Sequence, residues 1–235
     1  MDLGALEIEI KKGLSTLENL ENIVTIFGGA RVGRDTKAYQ SVRKLARRLG
    51  KEGYSVMTGG GPGIMEAANR GLVEYKNDLK NGKLDKKRCK IEFQRNEQSA
   101  KNASLQPAKD SIISIGLNIQ LPHEQQMNPF VEVPLEFQNF FSRKLVFNYN
   151  STAFVVAMGG FGTLDELSEV LVQIATGKHK RIPIILYGKD YWRGFVQWLR
   201  STMLKESTIS KDELELIQIA NKPKEVLKIL KENQK

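Results

Sequence analysis

The sequence predicts an α/β fold, a single Rossmann-like domain in which a doubly wound parallel sheet is flanked by helices. Two observations predict it. Short apolar runs rich in β-branched residues alternate along the chain with segments of helical periodicity, the pattern of repeated βαβ units. Glycine-rich turns follow three of these runs, at the position where parallel sheets bind ligands. With 235 residues, 40% of them hydrophobic, the chain can bury one sizeable core.

The first part of the chain predicts two strand–helix units. The run "NIVTIFGG" (22–29) is the first predicted strand, and residues 38–49 carry apolar side chains at helical spacing. The run "GYSVMTGGG" (53–61) is the second predicted strand. A helix is predicted at "PGIMEAANRGLVEY" (62–75), with Pro62 in its first turn, where the missing N–H costs little.

Later runs continue the alternation. Four further strands are predicted, at "DSIISIGLNI" (110–119), "FVEVP" (130–134), "TAFVVAM" (152–158) and "IPIILY" (182–187). Helical patterns follow most of them. Two amphipathic segments, "YWRGFVQWLRSTML" (191–204) and "PKEVLKILKEN" (223–233), are expected to complete the single domain, residues 1–235.

One segment interrupts this alternation. Residues 76–109, from Lys76 to Lys109, are polar, basic and weakly periodic, which predicts a surface insertion. The segment is either a basic lid over an anionic ligand or a solvated decoration. The second interpretation is favoured, because a run of charges is usually a solvated face.

Composition narrows the class of protein. A net charge of +9 suits nucleic acid or an anionic small molecule, but the absence of zinc-finger, RNP and KH signatures disfavours nucleic acid. A single cysteine, Cys89, excludes an internal disulfide framework and is typical of a reducing compartment. Residues 1–13 lack the pattern of a signal peptide, and no apolar run reaches membrane-spanning length. We therefore expect a cytoplasmic protein without a membrane partner.

Three glycine-rich turns are candidates for binding a phosphate. The first, "FGGARVG" (27–33), resembles a dinucleotide fingerprint, but the second strand ends in "MTGG" and lacks the acidic residue that would bind ribose hydroxyls. This disfavours NAD, and the sequence also contains no GxxxxGK[ST] loop. The second turn contains Gly60 and Gly61. It either opens a helix whose N–H groups attract an anion or is only a tight strand-to-helix turn.

The third turn, "MGGFGTLDELSEV" (158–170), also joins a strand to a helix, but it contains no Lys and is followed by a carboxylate, Glu166. Thr163 and Glu166 fit a capping box, in which Glu166 reaches back to the helix N-terminus and stabilises it by about 1 kcal/mol. The same spacing suits a carboxylate with a chemical role. Spacing alone does not decide between a cap and a catalyst.

Four motifs together resemble the Lonely Guy (LOG) family of nucleotide phosphoribohydrolases, often labelled lysine decarboxylase-like. The motifs are "TGGGPGIMEAANRG", "GLNIQLPHEQQMNPF", "FFSRKLVF" and "GGFGTLDE". The resemblance runs from about Val24 to the C-terminal helix and is interrupted by the basic segment from Lys76 to Lys109. It implies hydrolysis of a nucleoside 5′-monophosphate, either a cytokinin riboside monophosphate or an ordinary nucleotide, to free base and ribose 5-phosphate. Met158 replaces the family's proline, and Phe140 and Phe141 stand where many members carry Met and His, which leaves the base preference open.

The resemblance also implies roles for individual residues. The implied catalytic residues are Arg143 and Glu166. Glu166 would face the positive charge that develops on the ribose during N-glycosidic cleavage, and Arg143 would hold the phosphate or the departing base, since guanidinium is a poor general acid. The implied substrate-binding residues are Gly159, Gly160, Gly162, Thr163, Lys144, Asp165, Glu124, Gly60 and Gly61.

The sequence also predicts which cofactors and partners the protein needs and where its two histidines lie. Neither a metal nor an organic cofactor is expected, because no metal-ligating cluster stands out in the sequence. Family members are typically homodimers, so we expect a homodimer or a higher homo-oligomer. His123 is either structural or part of the site, whereas His179 is expected in a loop. The alternative function is a non-catalytic nucleotide-binding protein, which is disfavoured by a carboxylate so close to the expected phosphate.

Overall fold

A computed structural model describes residues 3–82, 111–120 and 126–233 of the chain. Seven parallel strands form one sheet in these residues: β1 Ile23–Phe27, β2 Ser55–Thr58, β3 Ser114–Ile119, β4 Val133–Phe137, β5 Ala153–Val156, β6 Ile184–Tyr187 and β7 Ile217–Ala220. Their order across the sheet is β4-β3-β2-β1-β5-β6-β7. The structure confirms the predicted Rossmann-like α/β fold.

Helices connect most of the strands and cover both faces of the sheet. The helices are α1 Leu3–Leu17, α2 Lys37–Lys51, α3 Ile64–Lys80, α4 Phe140–Asn150, α5 Phe161–Ala175, α6 Lys189–Trp198, α7 Lys211–Leu214 and α8 Pro223–Glu232. A π-helical turn, Leu199–Met203, continues α6. All residues of β1, Ile23–Phe27, are buried. Because helices cover both faces of the sheet, central strands of this kind are mostly apolar.

The core consists of two apolar layers, one on each face of the sheet. One layer includes side chains of α2, α3 and α8, among them Leu45, Leu72 and Val226. The other includes side chains of α1, α4, α5 and α6, among them Val146 and Leu167. Because α4 and α5 lie in the same layer, side chains from these two helices can meet at the carboxyl edge of the sheet.

The strand order places a topological switch point between β1 and β5. From β1 the chain proceeds through β2, β3 and β4 on one side, and then returns to pair β5 with the opposite edge of β1. Ligands of open α/β sheets bind in the crevice at such a point, beyond the carboxyl ends of the strands. Two of the three glycine-rich turns follow β1 and β5 directly.

Several boundaries differ from the sequence expectations. The strand β4 begins at Val133, three residues later than expected, and Pro62 precedes α3, whose N-cap is Gly63. The predicted surface insertion begins too early, because Lys76 to Lys80 form the end of α3. Lys76 is buried there and lies 2.6 Å from Glu132. The rest of the predicted insertion, from residue 83, lies outside the described residues.

Three elements were not predicted at all, namely α1, the short helix α7 and the edge strand β7. Residues 217–220 alternate weakly in burial, and α1 buries only Gly13, Thr16 and Leu17, so neither carries a strong local pattern.

None of the helices in the described ranges is long and apolar enough to cross a membrane.

Candidate active site at the glycine-rich turns

The three glycine-rich turns meet at the carboxyl edge of the sheet. Gly29 N, after β1, donates a hydrogen bond of 2.9 Å to Met158 O, after β5. On the other side, Ile64 N at the start of α3 donates to Gly29 O at 3.1 Å. Gly63 has a φ of +69°, and a Cβ there would lie 2.4 Å from Gly29 O, so only glycine fits this junction. The turns therefore form one continuous surface.

The N-terminus of α5 is open to a ligand. Its N-cap is Gly160, which provides no side-chain cap, and a Cβ placed on Gly160 or Gly162 would contact nothing within 4 Å. The first N–H groups of a helix have no partner within the helix, and the helix dipole adds positive potential at that end. The backbone from Gly160 to Thr163 therefore has the geometry and polarity that bind an anion.

The capping-box interpretation of Thr163 and Glu166 is wrong. The helix begins at Phe161, so Thr163 lies within its first turn and Glu166 lies further inside. Thr163 is buried and packs against Gly159. A Cβ added to Gly159 would lie only 2.1 Å from Thr163 Oγ1. Because the glycine N-cap starts the helix three residues early, the Glu166 carboxylate cannot serve as the predicted cap and is free for another partner.

That partner is Arg143, in the first turn of α4. Arg143 Nη2 donates a hydrogen bond of 2.9 Å to Glu166 Oε1. Only 9% of the Arg143 side chain and 14% of the Glu166 side chain are exposed. The structure thus brings together the two residues that the resemblance implied as catalytic, from positions 23 residues apart in the chain.

Burial disfavours the charged forms of both partners and shifts the pKa of each accordingly. Burial raises the pKa of Glu166 to about 7, and the opposing charge of Arg143 is too small an effect to bring it back. Burial likewise lowers the pKa of Arg143, against the charge of Glu166. A largely buried carboxyl group with a pKa near neutral pH is typical of catalytic acids and bases.

The guanidinium of Arg143 lies between aromatic rings and the turn after β2. Its Cζ atom is 5.3 Å from the ring centroid of Phe140 and 5.6 Å from that of Phe147. A Cβ on Gly59 would be 3.8 Å from Arg143 Nη1. Its Nε atom is buried and has no hydrogen-bond partner among the described residues. Arg143 therefore lies next to the second turn and has one buried donor without a partner among the described residues.

Lys144 and Asp165, which the resemblance implied as substrate-binding residues, pair with each other. Lys144 Nζ lies 2.8 Å from Asp165 Oδ2 and 2.8 Å from Glu169 Oε2. Burial would lower the pKa of Lys144, but hydrogen bonds to these two carboxylates raise it overall. Together with the Arg143–Glu166 pair, these contacts tie α4 to α5 beside the glycine-rich turn.

A buried amide network that the sequence analysis missed holds the second turn in place. Asn128 Nδ2 lies 3.0 Å from each of the carbonyl oxygens of Gly60 and Gly61, both implied as substrate-binding. Asn69 Oδ1 accepts hydrogen bonds from Asn128 and from Thr58 Oγ1, the latter at 2.7 Å. The sequence carries only a weak signal for this network. Asn128 precedes a proline, as is common in ordinary turns, and Asn69 lies inside a helix far from it in the chain.

The sequence analysis also missed a carboxylate, Glu66, which holds the first turn in place. Arg34 donates to both Glu66 oxygens, at 2.8 and 3.0 Å, and Tyr39 Oη donates to Glu66 Oε1 at 2.7 Å. Burial would raise the pKa of Glu66, but these donors lower it overall. This carboxylate is saturated with protein donors, which distinguishes it from Glu166.

The two histidines and Glu124 were also candidates. Residues 121–125, which include His123 and Glu124, lie outside the described residues, so their roles stay predictions. His179 lies in the expected loop, with Nε2 2.7 Å from Asn148 O, and so connects that loop to the end of α4.

Glu9 on α1 caps the helix that carries Arg143. The α4 N-cap, Asn139, makes no capping hydrogen bond of its own. Glu9 Oε1 accepts a hydrogen bond of 2.7 Å from Gln138 N, and Ser142 Oγ donates to Glu9 Oε2. A carboxylate at this position also complements the helix dipole. The unpredicted helix α1 thus helps to position the α4 N-terminus.

We expect Glu9→Ala to lower the free energy of unfolding by roughly 1–2 kcal/mol at neutral pH, because it removes a helix cap. Burial would raise the pKa of Glu9, but hydrogen bonds from Ser142 and Gln138 lower it overall. The stabilisation is therefore present above the ordinary Glu pKa and disappears as the pH falls through the lowered one. Urea unfolding at pH 7 and at about pH 3 measures both effects.

Glu7→Ala is the matched control, because Glu7 lies on the same helix and forms an exposed pair with Lys11. We expect a change of only a few tenths of a kcal/mol. Equal losses in the two variants would contradict the capping role of Glu9.

Comparisons with known proteins place the chain in a family. A model of the family described as "possible lysine decarboxylase", the label often given to the LOG family, matches residues 97–230. That match spans more than half of the 235 residues. The chain belongs to the LOG family. A second model, of the SLOG cluster4 family, matches residues 21–92.

A curated LOG-type relative comes from a fungus. The bifunctional cytokinin biosynthesis protein of Fusarium pseudograminearum (strain CS3096) is 22% identical over 210 residues, 88% of this chain. The chain spans only 39% of the length of that relative. Membership of the LOG family and this distant relative support nucleotide phosphoribohydrolase chemistry at the level of the family.

Solved structures similar to this LOG-family chain include molybdenum cofactor proteins. The molybdenum cofactor binding protein of Rippkaea orientalis has a TM-score of 0.56 at 15% identity, covering 92% of this chain and 99% of its own. The molybdenum cofactor carrier protein of Chlamydomonas reinhardtii has a TM-score of 0.53 at 16% identity, with 91% and 99% covered. At these identities the likeness shows a shared fold.

Proposed function

We propose that this protein hydrolyses the N-glycosidic bond of nucleoside 5′-monophosphates, releasing free base and ribose 5-phosphate. The observation that carries the proposal is a largely buried carboxylate, Glu166, held 2.9 Å from Arg143 beside an uncapped helix N-terminus. The anion-binding backbone would hold the phosphate of the substrate, and the carboxylate with its raised pKa would face the ribose. The family match supports the same reaction class.

The geometry suggests how the substrate would be oriented. The 5′-phosphate would accept hydrogen bonds from the N–H groups between Gly160 and Thr163, where the helix dipole is favourable. The ribose would then extend toward Glu166, which lies further along α5. Its carboxylate would stabilise positive charge on C1′ and the ring oxygen, or accept a proton from the attacking water.

Arg143 would act as a fixed hydrogen-bond donor. It keeps its proton at working pH and therefore does not serve as a general acid, even though burial lowers its pKa. Its unpartnered Nε can donate to the base or to a phosphate oxygen, while Nη2 orients Glu166. One side chain would thus align both the substrate and the carboxylate.

The direct test is release of ribose 5-phosphate. Purified protein is incubated with AMP, GMP, CMP, UMP and a cytokinin riboside monophosphate, and the sugar phosphate and free base are quantified. Equimolar release of both products from at least one substrate supports the proposal. Absence of release from every nucleotide, with the nucleotide still bound, contradicts it.

Removing the 5′-phosphate should lower both turnover and affinity. We expect kcat/KM for adenosine to be on the order of 100-fold or more below that for AMP, because phosphate binding energy also positions the reacting sugar. Steady-state kinetics on matched nucleoside and nucleotide pairs measure the effect. Equal reactivity of the pair would show that the Gly159–Thr163 turn does not bind the phosphate.

A pyridoxal phosphate decarboxylase does not fit the described residues of the site. Such chemistry needs a lysine amine that can become neutral and form a Schiff base. Lys144, the lysine at this site, instead pairs with Asp165 and Glu169, and those contacts raise its pKa. The contacts of Lys144 therefore disfavour the decarboxylase activity that the family description names.

The second candidate function is non-catalytic binding of a nucleotide or a nucleotide-like cargo. Two of the similar solved structures are a molybdenum cofactor binding protein and a molybdenum cofactor carrier protein. The raised pKa of Glu166 favours the enzyme, because a carrier gains nothing from a carboxyl group that titrates near its anionic ligand. The ribose 5-phosphate assay separates the two functions.

We also propose that the protein is a homodimer, in keeping with its family. Large apolar side chains are exposed on the two helices that frame the site: Phe141 on α4 is 62% exposed, and Phe161 on α5 is 91% exposed. Exposed large apolar side chains mark an interface where they form a contiguous patch. Light scattering on the wild type and on Phe141→Glu tests the state; a monomeric wild type would contradict it.

A further inference from the structure

A surface cavity on α6 is distinct from the glycine-rich turns. It encloses about 350 Å³ between α6, the π-helical turn and the edge strand β7. The lining residues are Lys189, Arg193, Val196, Gln197, Arg200, Ser201 and Ile219. Its volume falls at the lower end of the range of small-molecule sites.

The cavity is basic and its charges are unpaired. Three cations line it, Lys189, Arg193 and Arg200, and no acidic residue does. None of the three forms an ion pair within the described residues, whereas many arginines elsewhere in the fold, such as Arg34 and Arg43, are paired with carboxylates. Unpaired guanidinium groups around a concavity are suited to bidentate recognition of phosphate.

The backbone of this region is also unusual. Residues 199–203 form a π-helical turn, in which Leu204 N donates to Leu199 O at 2.9 Å. Such turns are rare and occur frequently at functional sites, because the extra residue redirects the side chains that follow. This turn carries Arg200 and Ser201, two of the residues that line the cavity.

The spacing of the cations favours an extended ligand over a single phosphate ion. Lys189 and Arg200 are 11 residues apart on one helical rod, roughly 16 Å at 1.5 Å per residue. Between them, Val196 and Ile219 provide an apolar floor, and Gln197 and Ser201 provide polar side chains. A molecule that fits this lining carries more than one negative charge and an apolar part.

We infer that this cavity, the α6 groove, is a second binding site that takes a nucleoside polyphosphate, with its phosphates on the arginines and its base over Val196 and Ile219. None of the glycine-rich turns lines the groove, but the helix α6 contacts one of them. Tyr191, in the first turn of α6, donates a hydrogen bond to Gly159 O. A ligand on α6 is therefore placed to influence the turn after β5.

The test compares ATP binding to three forms of the full-length protein by calorimetry. The double variant Arg193→Gln/Arg200→Gln should weaken ATP binding at the α6 groove by at least about tenfold, because each guanidinium contributes charge-assisted hydrogen bonds. The control is Lys178→Gln/Arg181→Gln, which removes two exposed charges that lie outside the cavity and form no ion pair in the described structure. It should bind ATP as the wild type does.

Three outcomes would overturn the inference. ATP binding that is equal in the two double variants places the ligand elsewhere, including at the glycine-rich turns. Equal affinity for ATP and inorganic tripolyphosphate shows that the nucleoside contributes nothing. Tighter binding of a poly-glutamate peptide than of ATP identifies the groove as a surface for acidic protein segments. Each outcome is independent of ribose 5-phosphate release, so it is distinguishable from a failure of the proposed hydrolysis.

Discussion

Glu166→Gln should lower kcat on the order of 100-fold or more while the protein stays folded, because the amide cannot carry the negative charge that faces the developing cation. The amide oxygen can still accept the hydrogen bond of Arg143 Nη2, so the tie between α4 and α5 is kept. Nucleotide affinity should be unchanged or slightly higher, since a negative charge near the phosphate is removed. Turnover, a binding isotherm and a thermal melt measure these three properties.

The pH dependence of the wild type gives a second readout. Burial raises the pKa of Glu166 to about 7, so the carboxylate is lost as the pH falls through that value, and kcat/KM should fall with it. The contribution of Glu166 to the free energy of unfolding changes with pH in the opposite direction. An acid whose pKa is raised by folding favours the folded state at low pH, and this contribution is lost as the pH rises through 7. The Gln variant should show neither dependence.

Glu74→Gln provides a matched control for the loss of a paired carboxylate. Glu74 accepts hydrogen bonds from Arg43 and Arg70 between α2 and α3, away from the glycine-rich turns. This change should lower stability and leave turnover unaffected. A fully active Glu166→Gln would reduce Glu166 to a structural residue that holds α4 against α5.

Arg143→Gln should lower kcat/KM by a similar factor and should also shift the pH profile. The positive charge of Arg143 opposes the burial that raises the pKa of Glu166. Removing that charge should raise the pKa of Glu166 further, so the acidic limb of the kcat/KM profile moves to higher pH. A rate loss without this shift would show that Arg143 contacts the substrate but does not control Glu166.

Arg143→Lys separates charge from shape. Lysine retains the positive charge, so the acidic limb should stay near its wild-type position. The rate should still fall, because lysine lacks the planar fork that bonds Glu166 and leaves a second donor for the substrate. Arg143 is also packed against the rings of Phe140 and Phe147, so a thermal melt must accompany both variants to show that they are folded.

The fold class could be predicted because the signals that specify it are local. Strands such as β1 and β5 are buried at every position, so their sequences are continuous apolar runs. Glycines that must approach another backbone, such as Gly63 beneath Gly29, leave a visible pattern in the sequence. Elements that pack on few residues, such as α1, leave almost none, and α1 was missed.

Long-range contacts decided which of two interpretations of the third turn is correct. Thr163 and Glu166 satisfy the local pattern of a capping box, but the helix starts at Phe161 because the uncapped Gly160 takes the N-cap position. Glu166 then faces Arg143, and this pairing depends on α4 and α5 packing in the same layer on one face of the sheet. Local sequence was sufficient to locate the turn and its carboxylate. Packing alone buried that carboxylate, raised its pKa and supplied its arginine, because burial and pairing depend on groups that are distant in the chain.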